Sequence, residues 1–252
     1  MGYDGFTLAE VLITLGVIGV ISALTLPALI QKQQFMVVQS QLKKAMSVHS
    51  QAMLQTKNSL GIGNFNETFT YYDKDTKAYI YKDQLLNEYA KSVKAVGKCT
   101  YKTPPRNYNN TNNAYIDIGG RAQPMYLAPD GTCFEILLNA STIGVTVDVN
   151  GADKRPNQLG HDIFVFYVNN KDFLVPMKVQ KNMSQEELDE LPGRQPEDDE
   201  GGFTPGESAV EQRGWPCTAK NNQKGNGMGC AWYALQDICP DNPDKKYWQC
   251  LP

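Results

Sequence analysis

Histidine is nearly missing: the 252 residues contain two, His49 and His161. The side chain most used for proton transfer near neutral pH is therefore scarce, which leaves acid–base catalysis little to draw on. Basic character is thin as well. Lysine and arginine total 24 against 27 acidic residues, and no basic stripe runs along the chain, so no nucleic-acid partner is expected. No CxxC pair occurs and no histidine stands near a cysteine, which removes the usual zinc spacings. With no nucleophile motif either, the chain is expected not to be an enzyme. A further absence lies at the N-terminus, where Met1-Gly2-Tyr3-Asp4-Gly5 holds no lysine or arginine ahead of a long apolar run.

That run is the strongest positive feature. From Phe6 to Ile30, 17 of 25 residues are apolar and the one ionisable side chain is Glu10, a length that crosses the ~30 Å hydrocarbon layer as a helix. A secretory signal would show a basic start and a shorter apolar core followed by small residues. Here lysines follow the run, at Lys32, Lys43 and Lys44, so positive charge does not set the orientation. The cysteines do. An even set of six, Cys99, Cys133, Cys217, Cys230, Cys239 and Cys250, suits up to three disulfides in an oxidising compartment. The bulk of the chain is expected outside the cytoplasm.

After Pro27 the pattern turns amphipathic. Phe35, Val38, Leu42, Ala45, Met46, His49, Ala52 and Met53 recur at three- and four-residue steps to about Lys57, predicting one long helix with a kink or local melting near Pro27. His49 lies on the apolar stripe and reads as a packing residue. Gly61-Ile62-Gly63-Asn64 ends the helix. Phe69–Tyr72 and Tyr79–Tyr81 read as short strands, and Asp83 as the cap of a helix burying Leu85, Leu86, Tyr89 and Val93. Strands are predicted at Met125–Ala128, Cys133–Leu138, Ile143–Val149, Ile163–Val168 and Phe173–Val179. Turn chemistry at Pro129-Asp130-Gly131 and Asn169–Asp172 points to an antiparallel meander. One sheet face on an amphipathic helix gives an α+β head. Ser184 and Glu187 match a capping box. The stretch Ser184–Gly214 then holds ten carboxylates against two arginines and reads as a linker. Trp215–Pro252, with four cysteines and three tryptophans, reads as a small disulfide-dependent tail.

Gly5-Phe6-Thr7-Leu8-Ala9-Glu10-Val11-Leu12-Ile13, followed by an apolar helix and Pro27, resembles the prepilin cleavage and methylation signature of type IV pilins and type II secretion pseudopilins. The resemblance covers about the first 57 residues, although the leader departs from the family pattern in lacking basic residues and carrying Asp4. It implies cleavage between Gly5 and Phe6 by a prepilin peptidase, methylation of the new Phe6 amine, and storage in the cytoplasmic membrane as a single-pass protein with its head outside. Polymerisation into a pilus or pseudopilus, in the periplasm or at the cell surface, would follow. The implied partners are other pilin or pseudopilin subunits, the peptidase and an inner-membrane assembly platform. A carboxylate deep in a bilayer is costly when unpaired, and in such fibres a neighbour's N-terminal amine would answer Glu10. Gly16, Gly19, Ser22 and Ala23 are small positions suited to close helix packing, as well as being ordinary in membrane helices.

Val147–Gly151, Pro156-Asn157, Gly160 and Asp162–Phe164 resemble, less closely, a segment of pilin-like heads. Asp148, Asn150, Asp153 and Asp162 could offer hard oxygens to calcium, as some pseudopilin loops do, but Ala152 falls where an EF-hand needs a ligand, and turn chemistry explains the same residues. His161 is expected to face solvent. Cys99–Cys133, stapling helix to sheet, is the first choice of bridge; Cys217, Cys230, Cys239 and Cys250 would pair among themselves, with Cys217–Cys230 and Cys239–Cys250 the local option, and the sequence does not select among the fifteen connectivities. Trp215, Trp232, Tyr233 and Trp248 either stack on a sugar or partner, or are buried in the tail.

The expected organisation is a leader at 1–5, a membrane and filament helix at 6–30, its amphipathic continuation at 31–57, an α+β head at 58–183, an acidic linker at 184–214 and a cysteine-rich tail at 215–252. The expected function is that of a pilin-like structural subunit, more than a minimal shaft subunit needs. The alternative is a membrane-tethered binding protein or adhesin that does not polymerise.

Overall fold

The structure, a computed structural model, describes residues 7–69, 72–73, 78–79, 81–114, 125–139, 142–179, 182–189 and 216–252. The leader at 1–5, the Gly5/Phe6 junction, the acidic stretch from 190 onwards and Trp215 lie outside the described residues. The chain divides into two compact units, Met1–Val37 and Val38–Pro252.

Helix α1 runs Leu8–Leu60 with Pro27 inside it, and its helical geometry continues through that residue, so the local melting expected there is absent. It stops three residues later than the periodicity suggested. Gly61 takes a left-handed conformation (φ 63°), while its N–H and that of Ile62 bond back to the carbonyls of Asn58 and Lys57. This is a Schellman ending, which the missing Cβ of glycine permits.

The larger unit is α+β. Six strands form one antiparallel meander in chain order: β3 (Gly97–Cys99), β4 (Met125–Leu127), β5 (Cys133–Asn139), β6 (Thr142–Asp148), β7 (Ile163–Val168) and β8 (Leu174–Pro176). Ahead of them come α2 (Phe65–Phe69), a two-residue ladder of β1 (Tyr72–Asp73) with β2 (Ala78–Tyr79), and α3 (Lys82–Ser92). Phe69 therefore ends a helix rather than starting a strand. The cause is Asn64, whose Oδ1 accepts the Glu67 N–H at 3.0 Å and caps α2. Asp83 sits inside the first turn of α3, and Tyr81 occupies the cap position without a side-chain hydrogen bond. The last strand is shorter than its apolar run, although the Met177 N–H just beyond it still donates to the Val165 carbonyl of β7 at 3.0 Å.

Period-two alternation gives the sheet two faces. On one, Phe134, Val147 and Phe164 stand in register, followed by Ile136, Val145 and Phe166, and these residues are all buried. Helix α1 covers this face from residue 42 onwards through Leu42, Ala45, His49, Ala52 and Met53, with the His49 and Phe134 rings 5.1 Å apart. Lys44 and Asp130 pair at 2.9 Å near one end. Near the other, Lys57 and Asp172 pair at 2.6 Å.

The opposite face is covered as well. Ile163, Val165 and Tyr167 form a second buried cluster with Leu159, Met177 and Met228, the last of which belongs to the C-terminal segment. After a short helix α4 (Gln185–Asp189), that segment, with α5 (Ala231–Gln236) and two short 3-10 turns at Met228–Cys230 and Tyr247–Cys250, is a layer of the head. Asn107 and Asn109 donate to backbone carbonyls of 221–223, the Trp232 N–H bonds to the Met177 carbonyl at 3.2 Å, and Gln39 Nε2 reaches the Ala234 carbonyl at 2.9 Å. Gly160 shows how closely the layers approach. At φ 77° it faces the Tyr108 ring and Cys230, and a Cβ there would come within 2.6 Å of the ring and 2.8 Å of the sulfur.

The disulfides are Cys99–Cys133, Cys217–Cys230 and Cys239–Cys250, and no cysteine is free. The first-choice bridge is present, and the other four cysteines pair in the local way. The first joins strand β3 to strand β5 rather than a helix to the sheet, since Cys99 extends the meander by one strand that the sequence reading left out.

Candidate functional site

Between Leu8 and Ile30 the first unit presents its apolar side chains outward. Every leucine, isoleucine and valine between Leu8 and Ile30 is exposed, from 43% at Val11 to 81% at Leu8, and the helix is long and apolar enough to cross a membrane. Such a stretch has no solution partner within its own unit and needs a lipid or protein environment.

Glu10 is organised locally. Its Oε2 accepts the Thr7 N–H at 2.9 Å and the Thr7 hydroxyl at 2.7 Å, while the Glu10 N–H donates to Thr7 Oγ1 at 3.2 Å. Thr7 is thus the N-cap of α1 and Glu10 its N3 residue, a capping box that answers two helix-end N–H groups at once. The Thr-x-x-Glu spacing carried this signal in the sequence. It does not occupy the whole carboxylate, because both bonds fall on Oε2. Thr14 and Thr25 turn their hydroxyls back onto carbonyls four residues earlier, which satisfies these two hydroxyls within the helix. Gly16 and Gly19 have nothing within 4 Å of a notional Cβ, so their faces are open for another helix to approach.

The loop residues singled out in the head come only partly together. Asp148 Oδ1 accepts the Asn150 and Gly151 N–H groups at 3.2 and 2.8 Å, and its Oδ2 accepts the Tyr101 hydroxyl at 3.0 Å. Asp162 accepts the Asn157 and Gln158 N–H groups at 2.8 and 2.7 Å, and Asn150 Nδ2 at 3.1 Å, so Asn150 links the two carboxylates. Burial, and the nearness of Asp162, push the Asp148 carboxyl up to about 7. Burial raises that of Asp162 to about 6. Asp153 lies apart, 80% exposed and paired with Lys102 at 3.0 Å.

Two amide oxygens nearby, Asn150 Oδ1 and Asn157 Oδ1, are buried without a hydrogen-bond partner. Among the described residues no three of His, Cys, Asp and Glu gather as metal ligands. Calcium takes about six to eight oxygens, and both central carboxylates here are already turned to N–H donors. The same donors organise two turns, at 148–151 and 157–162.

Both histidines are structural. His49 is buried, its Nδ1 lies 2.7 Å from the Tyr89 hydroxyl, and desolvation lowers its pKa to about 4. His161 is half-buried rather than wholly solvent-facing: it packs on the Tyr108 ring, with Nε2 3.0 Å from the Tyr108 carbonyl, and desolvation lowers it to about 4 as well. Of the tail aromatics, Tyr233 is buried and Trp232 and Trp248 are half-buried.

Two clefts open on the larger unit. One of about 430 Å³ lies at the β8 edge between Lys43 and Met46 of α1 and Trp232 and Leu235 of α5. Lys178 crosses it, 4.4 Å above the Trp232 ring and 2.9 Å from Glu187. The other, of about 250 Å³, surrounds the Cys99–Cys133 bridge. No protein-family model, curated protein or solved structure matches the chain.

Proposed function

We propose that this chain is a pilin-like structural subunit, processed between Gly5 and Phe6 by a prepilin peptidase and assembled through α1 into a type IV pilus or a related pseudopilus. The observation that carries the reading is an outward-facing apolar helix from Leu8 to Ile30 whose one carboxylate, Glu10, stands in its first turn. A simple anchor has no use for an acid there beyond capping. In a bundle of such helices, a neighbour's Phe6 amine gives the carboxylate a cation in low dielectric and sets subunit register. The Thr7–Glu10 capping box suits the stored monomer, since it holds the acid with two donors until that cation arrives. The cysteine-bonded layer on the second sheet face fits a head that works in an oxidising compartment. On this reading the chain sits in the cytoplasmic membrane with its head outside, and the subunit catalyses nothing.

The mass of the mature N-terminus tests the proposal. Co-expression with an active prepilin peptidase should give a chain starting at an N-methylated Phe6, and an intact Met1 under those conditions contradicts it. The rival, a tethered adhesin that never polymerises, would keep its function when Glu10 is replaced.

A further inference from the structure

The Cys99–Cys133 bridge differs from the other two in its surroundings. It lines a cleft of about 250 Å³ together with Lys98, Lys154, Asn150 and Gly151. Cys99 is half-buried at that surface, whereas Cys133 is 2% exposed and its sulfur accepts the Ala152 N–H at 3.5 Å. Lys98 and Lys154 are exposed and make no ion pair among the described residues, while the one acid on the cleft, Asp153, is held by Lys102. The cleft is therefore net positive. Cys217 and Cys230 are 2% and 0% exposed, and Cys239 is 0% exposed. Its partner Cys250 is half-buried but lines neither cleft, and three acids, Asp237, Asp241 and Asp244, stand close to that bridge in sequence against two lysines, Lys245 and Lys246.

We propose that the Cys99–Cys133 bridge is an exchange site for an external thiolate, such as the active cysteine of a thiol–disulfide oxidoreductase, and that attack falls on Cys99. The incoming thiolate forms a new S–S bond to Cys99 Sγ as the Cys99–Cys133 bond breaks. The electron pair leaves on Cys133 as a thiolate, and no further oxidant or reductant is consumed. Each partner of the bridge contributes. Cys99 supplies access, and Cys133 supplies a leaving sulfur to which the Ala152 N–H donates at 3.5 Å, because exchange is faster when the departing thiolate is stabilised. The positive cleft also concentrates an anionic thiol. The inference is independent of the filament reading.

Reduced glutathione is the probe, applied to the full-length chain in detergent, followed by acid quenching, alkylation of free thiols and peptide mass mapping. The first product should carry glutathione on Cys99 and an alkylated Cys133, with the other four cysteines still paired. Glutathione on Cys133, or opening of either other bridge at an equal or greater rate, overturns the proposal. Lys98→Glu with Lys154→Glu, both at exposed positions, should slow formation of that adduct about tenfold at low salt. An unchanged rate would remove the role assigned to the charged cleft.

Discussion

Asp172 is the most informative residue to perturb in the head. It sits at the β7–β8 turn in a left-handed conformation (φ 64°), with its side chain 7% exposed. One carboxylate oxygen accepts the Phe65 N–H at 2.9 Å and the other the Lys57 ammonium at 2.6 Å, so a single side chain ties the end of α1 and the start of α2 to the sheet. Asp172→Asn keeps an oxygen for the Phe65 N–H and tolerates the backbone conformation, losing mainly the ion pair. Lys57 is 28% exposed and can rehydrate, which discounts that loss to about 1–2 kcal/mol. Asp172→Ala also orphans a buried N–H, about 1–3 kcal/mol, and strains a residue with positive φ by about 1 kcal/mol. The total expected for alanine is about 3–6 kcal/mol. Thermal or urea unfolding of the full chain in detergent, followed by near-UV circular dichroism, reads both. At about 2–4 °C per kcal/mol, alanine should lower the midpoint by roughly 10 °C and asparagine by well under half of that. Equal losses for the two variants would refute the assignment of the larger part to the N–H bond, and no loss in either would refute the clamp altogether.

Three further outcomes follow from the same geometry. His49 is lowered to about 4, below its usual 6.5, so its contribution is present above that value and lost as pH falls towards 4; His49→Gln should flatten acid destabilisation in urea melts between pH 6.5 and 4. Asp148 runs the other way. Its carboxyl is raised to about 7, so its contribution is greatest at low pH and is lost as pH rises from about 4 to 7, and Asp148→Asn should make the head relatively more stable towards pH 7. A stability profile whose slope is the same in both variants would contradict these signs. Gly160→Ala should place a methyl group against Tyr108 and Cys230, cost about 2–3 kcal/mol and expose the C-terminal layer to limited proteolysis, whereas Gly131→Ala, strained but with open space, should leave that layer protected.

Much of the head was legible because its signals are local. The apolar runs of β5, β6 and β7, the Pro129-Asp130-Gly131 turn and the Ser184–Glu187 capping box are short-range chemistry, and the Ser184 and Glu187 bonds are present at 2.7 and 3.2 Å. The docking of the C-terminal layer was not legible from the tail itself, whose cysteines suggested independence. Its trace lay elsewhere. Ile163–Val168 reads Ile-Phe-Val-Phe-Tyr-Val, without alternation, and a strand apolar on both sides must be covered on both. Similarly, Thr7-Leu8-Ala9-Glu10 spells a capping box within the apolar run, where attention falls on the charge of Glu10 rather than on its spacing from Thr7. His161 went unread because its partner, the Tyr108 carbonyl, is 53 residues away in the chain.

Incorporation of Glu10 variants into sheared filaments tests the central claim most directly, with each variant expressed beside the wild-type chain and its membrane level measured in parallel. Glu10→Ala and Glu10→Gln should both accumulate in the membrane in processed form yet fall out of the filament fraction, glutamine because it keeps the cap but not the charge. Filament content that matches wild type for both variants, or a wild-type chain that never leaves the membrane while its assembly machinery is active, would contradict the account.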